Sequence, residues 1–301
     1  MSKFAQRLFL VAFVVVDIVL IIGAMRHVNG TPPSSDLPAA ATASSAPTPS
    51  ADASETPDAT LQLPYDFSAA DAVSLSTAND GTVVYGSRGR CGDTPATVQV
   101  STDAGADFAP ATTGLTTTLV VKAASAASIS VVGTDADCDV RQVTSTDGGQ
   151  SWTAAPEVTL WYPAARGSSA VVTPAGSSEP GEGCVVTSVS QVTAESGRVS
   201  CSDGTIFGSG DNGDTWVRLG RLDNIRVSTF LTPSAGFALA RFTGCAANAF
   251  TTNDGGVTWS PGGCISGEPA QAIAATSSRL VAVVADETYS SDDKGAAWSQ
   301  P

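Results

Sequence analysis

Five copies of one eight-residue pattern constrain this chain more than anything else in it. "STDAGADF" begins at Ser101, "STDGGQSW" at Ser145, "SGDNGDTW" at Ser209, "TNDGGVTW" at Thr252 and "SDDKGAAW" at Ser291. All read Ser/Thr-x-Asp-x-Gly-x-x-Trp, with Phe108 taking the aromatic slot of the first. Successive starts lie 44, 64, 43 and 39 residues apart. A period near 40–45 residues fits a four-stranded propeller blade. The longer interval contains "AGSSEPGEG" (175–183), a Gly/Pro/Ser stretch that reads as an inserted loop.

Between the repeats the pattern is strand and turn. "AVSLSTA" is followed by the turn "NDG" and then "TVVYGS", while the last unit runs "AQAIAAT", "SRLVAVVA", "ETYSSDD". Small and β-branched residues punctuated by Gly, Asn and Asp predict short antiparallel strands, and no amphipathic helix is expected beyond residue 25.

The five motifs resemble the Asp-box (bacterial neuraminidase) repeats of sialidases, sortilin-type propellers and photosystem II assembly-factor-like propellers. The resemblance covers residues 61–301 and implies an all-β propeller, with the box as the turn between the third and fourth strands of a blade. Physics agrees with that placement. Asp103, Asp147, Asp211, Asp254 and Asp293 can accept hydrogen bonds from N–H groups of their own turns. The Gly supplies a positive φ, and Trp152, Trp216, Trp259 and Trp298 pack over their hairpins. Structural roles are therefore expected for these residues, ahead of ligand contact. Five blades are expected, with a sixth in the 64-residue interval as the alternative. The last box ends three residues before the terminus, at Trp298. "TLQLPYDF" (60–67) is expected to supply the outer strand missing from the last blade, since closure removes an open edge.

The N-terminus reads as a separate unit. Residues 8–25, "LFLVAFVVVDIVLIIGAM", are apolar apart from Asp17 and would span roughly 27 Å as a helix, close to a bilayer core. Lys3 and Arg7 precede this segment, which puts residues 1–7 in the cytoplasm. "RHVNG" follows in place of a small-x-small cleavage site, so an uncleaved signal-anchor is expected. Residues 26–60 are rich in Pro, Ala, Ser and Thr and cannot bury a core; they read as a disordered linker. The domain at 61–301 is then extracytoplasmic and attached to the cell membrane, or secreted if the helix is cleaved.

That compartment bears on the cysteines. Cys91, Cys138, Cys184, Cys201, Cys245 and Cys264 should form three disulfides in an exported domain. Six cysteines allow 15 pairings. Chain proximity and placement in propeller loops favour Cys91–Cys138, Cys184–Cys201 and Cys245–Cys264, all towards the face opposite the boxes.

Composition removes several kinds of chemistry. The formal net charge of −14 argues against nucleic acid as a partner. The sole histidine, His27, lies beside the apolar segment, so the rest of the chain has no Ser-His-Asp, Cys-His or His-ligated metal arrangement. No cofactor is expected. Asp135, Asp137 and Asp139 alternate like the start of a calcium loop, but Val140 and Thr146 stand where Gly and Glu would be needed, so a solvated loop is the better reading and no metal is expected. The resemblance to sialidases raises glycoside hydrolysis. Such a site needs an arginine triad, a Tyr–Glu pair and an acidic Asp. The family's Arg-Ile-Pro motif is missing, and no Glu can be assigned to Tyr65, Tyr85, Tyr162 or Tyr289. No catalytic residue is assigned.

Arginines are the more suggestive group. Arg88 and Arg90 fall between the second and third strands of the first unit, Arg166 follows Trp152, and Arg218, Arg221 and Arg226 follow Trp216. "TLWYPAAR" adds Trp161 and Tyr162. These loops share the face opposite the boxes, which makes Arg88, Arg90, Trp161, Tyr162, Arg166 and Arg221 the candidate ligand-binding set. Pairing of the arginines with surface carboxylates is the competing reading. The sequence thus points to a non-catalytic binding or assembly module for a glycan, an anionic ligand or a protein partner. A diverged sialidase-like hydrolase is the alternative.

Overall fold

The computed structural model describes residues 73–92, 95–165 and 167–301. The apolar segment at 8–25, the linker at 26–60 and the strand expected at 60–67 lie outside the described residues. Among the described residues no helix is long and apolar enough to cross a membrane.

The described chain is all-β and forms six antiparallel sheets, each a blade of consecutive strands. Blade 1 holds β1 (Val73–Thr77), β2 (Val83–Ser87), β3 (Val98–Ser101) and β4 (Ala109–Ala111). Blade 2 holds β5 (Val120–Ser125), β6 (Ser128–Thr134), β7 (Val140–Ser145) and β8 (Thr153–Ala154). Blade 3 has three short strands, β9 (Tyr162–Pro163), β10 (Val171–Thr173) and β11 (Gly176–Ser178). Blade 4 runs β12 (Val186–Gln191), β13 (Gly197–Cys201), β14 (Thr205–Ser209) and β15 (Val217–Arg221). Blade 5 runs β16 (Ile225–Phe230), β17 (Gly236–Phe242), β18 (Cys245–Thr252) and β19 (Ser260–Ile265). Blade 6 closes the chain with β20 (Ala270–Ala275), β21 (Leu280–Val284) and β22 (Glu287–Ser291).

Six blades replace the five expected. The 64-residue interval holds a whole blade that has no Asp-Gly-Trp hairpin of its own, and "AGSSEPGEG" is no insertion but contains β11. Blade 3 is short because neighbouring side chains do part of the work of a ladder. Gln142 Oε1, from blade 2, accepts from the Thr159 and Leu160 N–H groups at 2.9 and 3.4 Å. Gln191, from blade 4, accepts from Trp161 N–H at 3.4 Å and donates to the Thr159 carbonyl at 3.3 Å.

The first strands of the blades surround a central axis. β1 packs against β5 on one side and β20 on the other, and β16 packs against both β12 and β20. The seam between the last blade and the first is apolar: Ala272 and Val283 pack on Leu75 and Tyr85. Burial, with the charge of Asp286 added, raises the Tyr85 pKa. At the outer edge of blade 6 the chain's own end makes one antiparallel bridge, with Ser290 N–H to the Ser299 carbonyl at 2.8 Å and the reverse bond at 3.0 Å.

A blade's first strand has a partner on one side only, so the N–H groups on its other side need acceptors. Serines of the preceding blade supply them. Ser74 and Ser76 of β1 accept from Val121 and Ala123 N–H of β5 at 3.0 and 2.9 Å. Ser188 and Ser190 of β12 accept from Ser228 and Phe230 N–H of β16 at 2.9 and 3.2 Å. Ser228 and Phe230 are 7% and 5% exposed, so their amides have little access to water. Replacing both Ser188 and Ser190 with Ala should cost about 1 kcal/mol per lost bond. In a domain of this size that lowers the melting temperature by roughly 4–8 °C. Thermal melts of the double variant check this, with Ser277→Ala, at an exposed position between β20 and β21, as the reference.

Candidate functional site

The repeat hairpins are built alike. In the third, Asp211 Oδ1 accepts from Ser209 Oγ at 2.8 Å and Thr215 N–H at 3.0 Å, and Oδ2 accepts from Thr215 Oγ1 at 2.6 Å. Ser209 Oγ in turn accepts from Gly213 N–H at 2.9 Å. Asp254 repeats this set with Thr252, Thr258 and Gly256. Asp147 does so with Ser145, Ser151 and Gly149. Asp103 and Asp293 accept from Ser101 and Ser291 and from Asp107 and Ala297 N–H. Trp152, Trp259 and Trp298 each donate their indole N–H to the Gly carbonyl of their own hairpin. Trp216 instead donates to Ser178 Oγ of blade 3.

The motif glycine has two reasons to be glycine. At Gly149 and Gly256 φ is +88° and +99°. A Cβ at Gly149 would meet Val100 of blade 1 at 2.8 Å, and one at Gly256 would meet Ile206 of blade 4 at 3.0 Å. Each motif thus tucks under the blade before it. Gly213 lies against Thr173 of blade 3 and Gly295 against Ala249 of blade 5, while Gly105 of blade 1 faces Thr288 of blade 6, completing the circle.

The other end of the blades is where chemistry can vary. Register places the 88–97 loop at the end of blade 1 away from its hairpin, because Val73 pairs with Ser87 and Ser101 leads into the turn. Three disulfides lie at that end: Cys91–Cys138 joins blades 1 and 2, Cys184–Cys201 ties blade 4 to the chain entering it, and Cys245–Cys264 spans neighbouring strands of blade 5. These are the pairings expected from chain proximity.

The candidate ligand-binding residues do not assemble as one patch. Trp161 and Tyr162 are 1% and 8% exposed. Trp161 packs with Val171, Cys184, Val186, Val199 and Cys201 and meets Trp216 edge-on at 6.0 Å, so its faces are used in the core. Its large ring fits because Gly197 has no side chain to collide with it. Arg221 is paired with Asp223 at 2.6 Å. Arg166 lies outside the described residues. Arg90 is exposed, and Arg88 is half-buried and lines the central channel. In the acidic loop, Asp135 Oδ1 accepts from Asp137 and Asp139 N–H, and Oδ2 pairs with Arg141 at 3.0 Å.

The channel itself was not singled out by the sequence. It has a volume of about 210 Å³ and is walled by the first strands of the blades. Its charged wall residues, among those described, are Arg88 and Lys122, with no carboxylate between them. Lys122 Nζ has one recorded acceptor, the Gln191 carbonyl at 3.5 Å. Water reaches this side chain through the channel, but the surrounding strands remove part of its hydration and lower its pKa.

Comparison with known proteins adds little to this geometry. No family model matches the chain, and no curated protein does. Among solved structures, YCF48 from Cyanidioschyzon merolae matches at 14% identity and a TM-score of 0.43, covering 70% of this chain and 79% of that one. A structure of YCF48 bound to D1 peptide matches at 18% identity and a TM-score of 0.30, covering 77% and 67%. The GH74 xyloglucanase from Xanthomonas campestris matches at 15% identity and 0.31, with this chain spanning 38% of its length.

The hairpin carboxylates carry a pH signature. Hydrogen bonds from Ser151 and Thr258 hold the pKa values of Asp147 and Asp254 down to about 2, from an ordinary 3.8. A carboxyl depressed by folding stabilises above its unfolded pKa, and that contribution disappears as the pH falls through the folded value. Asp147→Asn cannot titrate. Its melting temperature should lie below the parent's at pH 5, and the gap should close between pH 4 and 2; differential scanning calorimetry across that range checks it.

Proposed function

We propose that this chain is a non-catalytic binding module, held on the outer side of a membrane by residues 8–25, and that it receives an acidic segment of a protein partner at the channel end opposite the hairpins. The observation that carries this reading is the channel wall. Its charged members are Arg88 and Lys122, in a chain whose net charge is −14. A local cationic spot in an acidic protein attracts an anion while the surrounding field discourages unselective binding. Arg88 adds its charge to the field that an approaching carboxylate meets at this wall.

Three further observations support it. The disulfides fit an oxidising compartment, as does the apolar segment in the sequence. The hairpin end uses its polar groups internally, whereas loops fixed on a rigid scaffold are where binding usually sits. Glycoside hydrolysis needs two carboxyl groups facing the scissile bond, and the described channel wall presents cations and hydroxyls.

The full chain in lipid nanodiscs, applied to arrays of acidic, neutral and basic peptides and to a fluorogenic glycoside panel, tests the proposal. Acidic peptides should bind, more weakly as salt rises. Arg88→Ala should weaken them at low salt, where the lost charge matters most, and a melting curve of the variant separates this from lost stability. Turnover of a glycoside, abolished by replacing a single carboxylate, would contradict it.

A further inference from the structure

The wall of the channel has more hydrogen-bond donors than the fold uses. Ser74, Ser76, Ser188 and Ser190 each accept a backbone N–H through Oγ. A hydroxyl that accepts still has its own proton to donate. All four serines belong to the channel lining, and among the described residues none of these protons has a recorded acceptor. Lys122 adds to this surplus. An ammonium has three donors, and the recorded contact of Lys122, to the Gln191 carbonyl at 3.5 Å, is at the limit of a hydrogen bond. The lining therefore offers, from blades 1, 2 and 4, a cation together with hydroxyl donors, and its described residues include no Asp or Glu to compete for them.

Size narrows the ligand. A volume of about 210 Å³ is below the roughly 300–1,000 Å³ of pockets that enclose drug-sized molecules. It suits a short organic acid or the end of an acidic side chain. We infer that the central channel holds a carboxylate subsite, with Lys122 Nζ as the charge partner and the serine hydroxyls as donors to the carboxylate oxygens. The subsite rests on reading the channel end as the binding end, and identifies the group that enters furthest. The serine hydroxyls are buried or half-buried and Lys122 is reached by water, so the ammonium attracts the anion and the hydroxyls fix its oxygens.

The probes are succinate, acetate, inorganic phosphate and sulfate, added to the full chain in nanodiscs. Two readouts are followed: calorimetric binding, and acylation of Lys122 by an amine-selective reagent, read by mass spectrometry. Succinate should bind and slow Lys122 acylation at least fivefold, with phosphate and sulfate protecting less. Lys122→Met should weaken succinate at least tenfold, while Lys122→Arg, which keeps the charge, should stay within about threefold of the parent. Equal protection by phosphate, or no protection by any probe, would overturn the carboxylate subsite. If Lys122→Met leaves succinate binding intact while Arg88→Ala still weakens acidic peptides, the subsite fails and the wider binding function stands.

Discussion

Everything in this ring depends on what happens at the inner edge of each sheet. A propeller blade ends at the axis in a strand with a neighbour on one side only, and its outward N–H groups must find acceptors or lose stability. Between blades 1 and 2, and again between blades 4 and 5, the acceptors are two serines on the preceding first strand. Beside the short blade 3 they are the amide side chains of Gln142 and Gln191. The outer part of the ring is packed differently, with hairpin glycines set against the previous blade, most tightly at Gly149, where a Cβ would meet Val100 at 2.8 Å. Polar rungs inside and close backbone packing outside fix the angle between sheets.

The same rungs determine what the axis can do. A wall built from serines that accept backbone bonds is a wall with hydroxyl protons to spare. Set among them is Lys122, partly stripped of water by the strands around it. In the hairpins the motif Asp, Ser and Thr side chains instead close on one another and on their own turns. The division of labour between the two ends therefore follows from where each end's hydrogen bonds are already committed.

The hairpins and the cysteine pairs were legible because each is local. The spacing of Ser145, Asp147, Gly149 and Trp152 encodes one turn, and cysteines that are near in sequence or in adjacent loops meet without long-range information. Blade 3 was legible only as the alternative to five blades, from the length of its 64-residue interval. Its strands are two or three residues long, and it borrows acceptors from Gln142 and Gln191, so it carries neither the motif nor a clear alternation. Counting motifs gave five where the ring has six. Trp161 misled for a related reason: an aromatic beside Pro163 and Arg166 reads as a loop platform, whereas Gly197 and the Cys184–Cys201 pair make room for it in the core. The inner rungs did leave a signal in "SLS" (74–76) and "SVS" (188–190), a serine at every second position of a first strand. It is recognisable only once those strands are known to face an axis.

Hydrogen exchange of individual backbone amides tests the account at its centre. If serine rungs seal the inner edges, the N–H groups of Val121, Ala123, Ser228 and Phe230 should exchange as slowly as the mid-blade amides of Val131 and Leu239, with opening limited by unfolding of the ring. Exchange of these four at rates typical of exposed loops, with the mid-blade amides still protected, would contradict it.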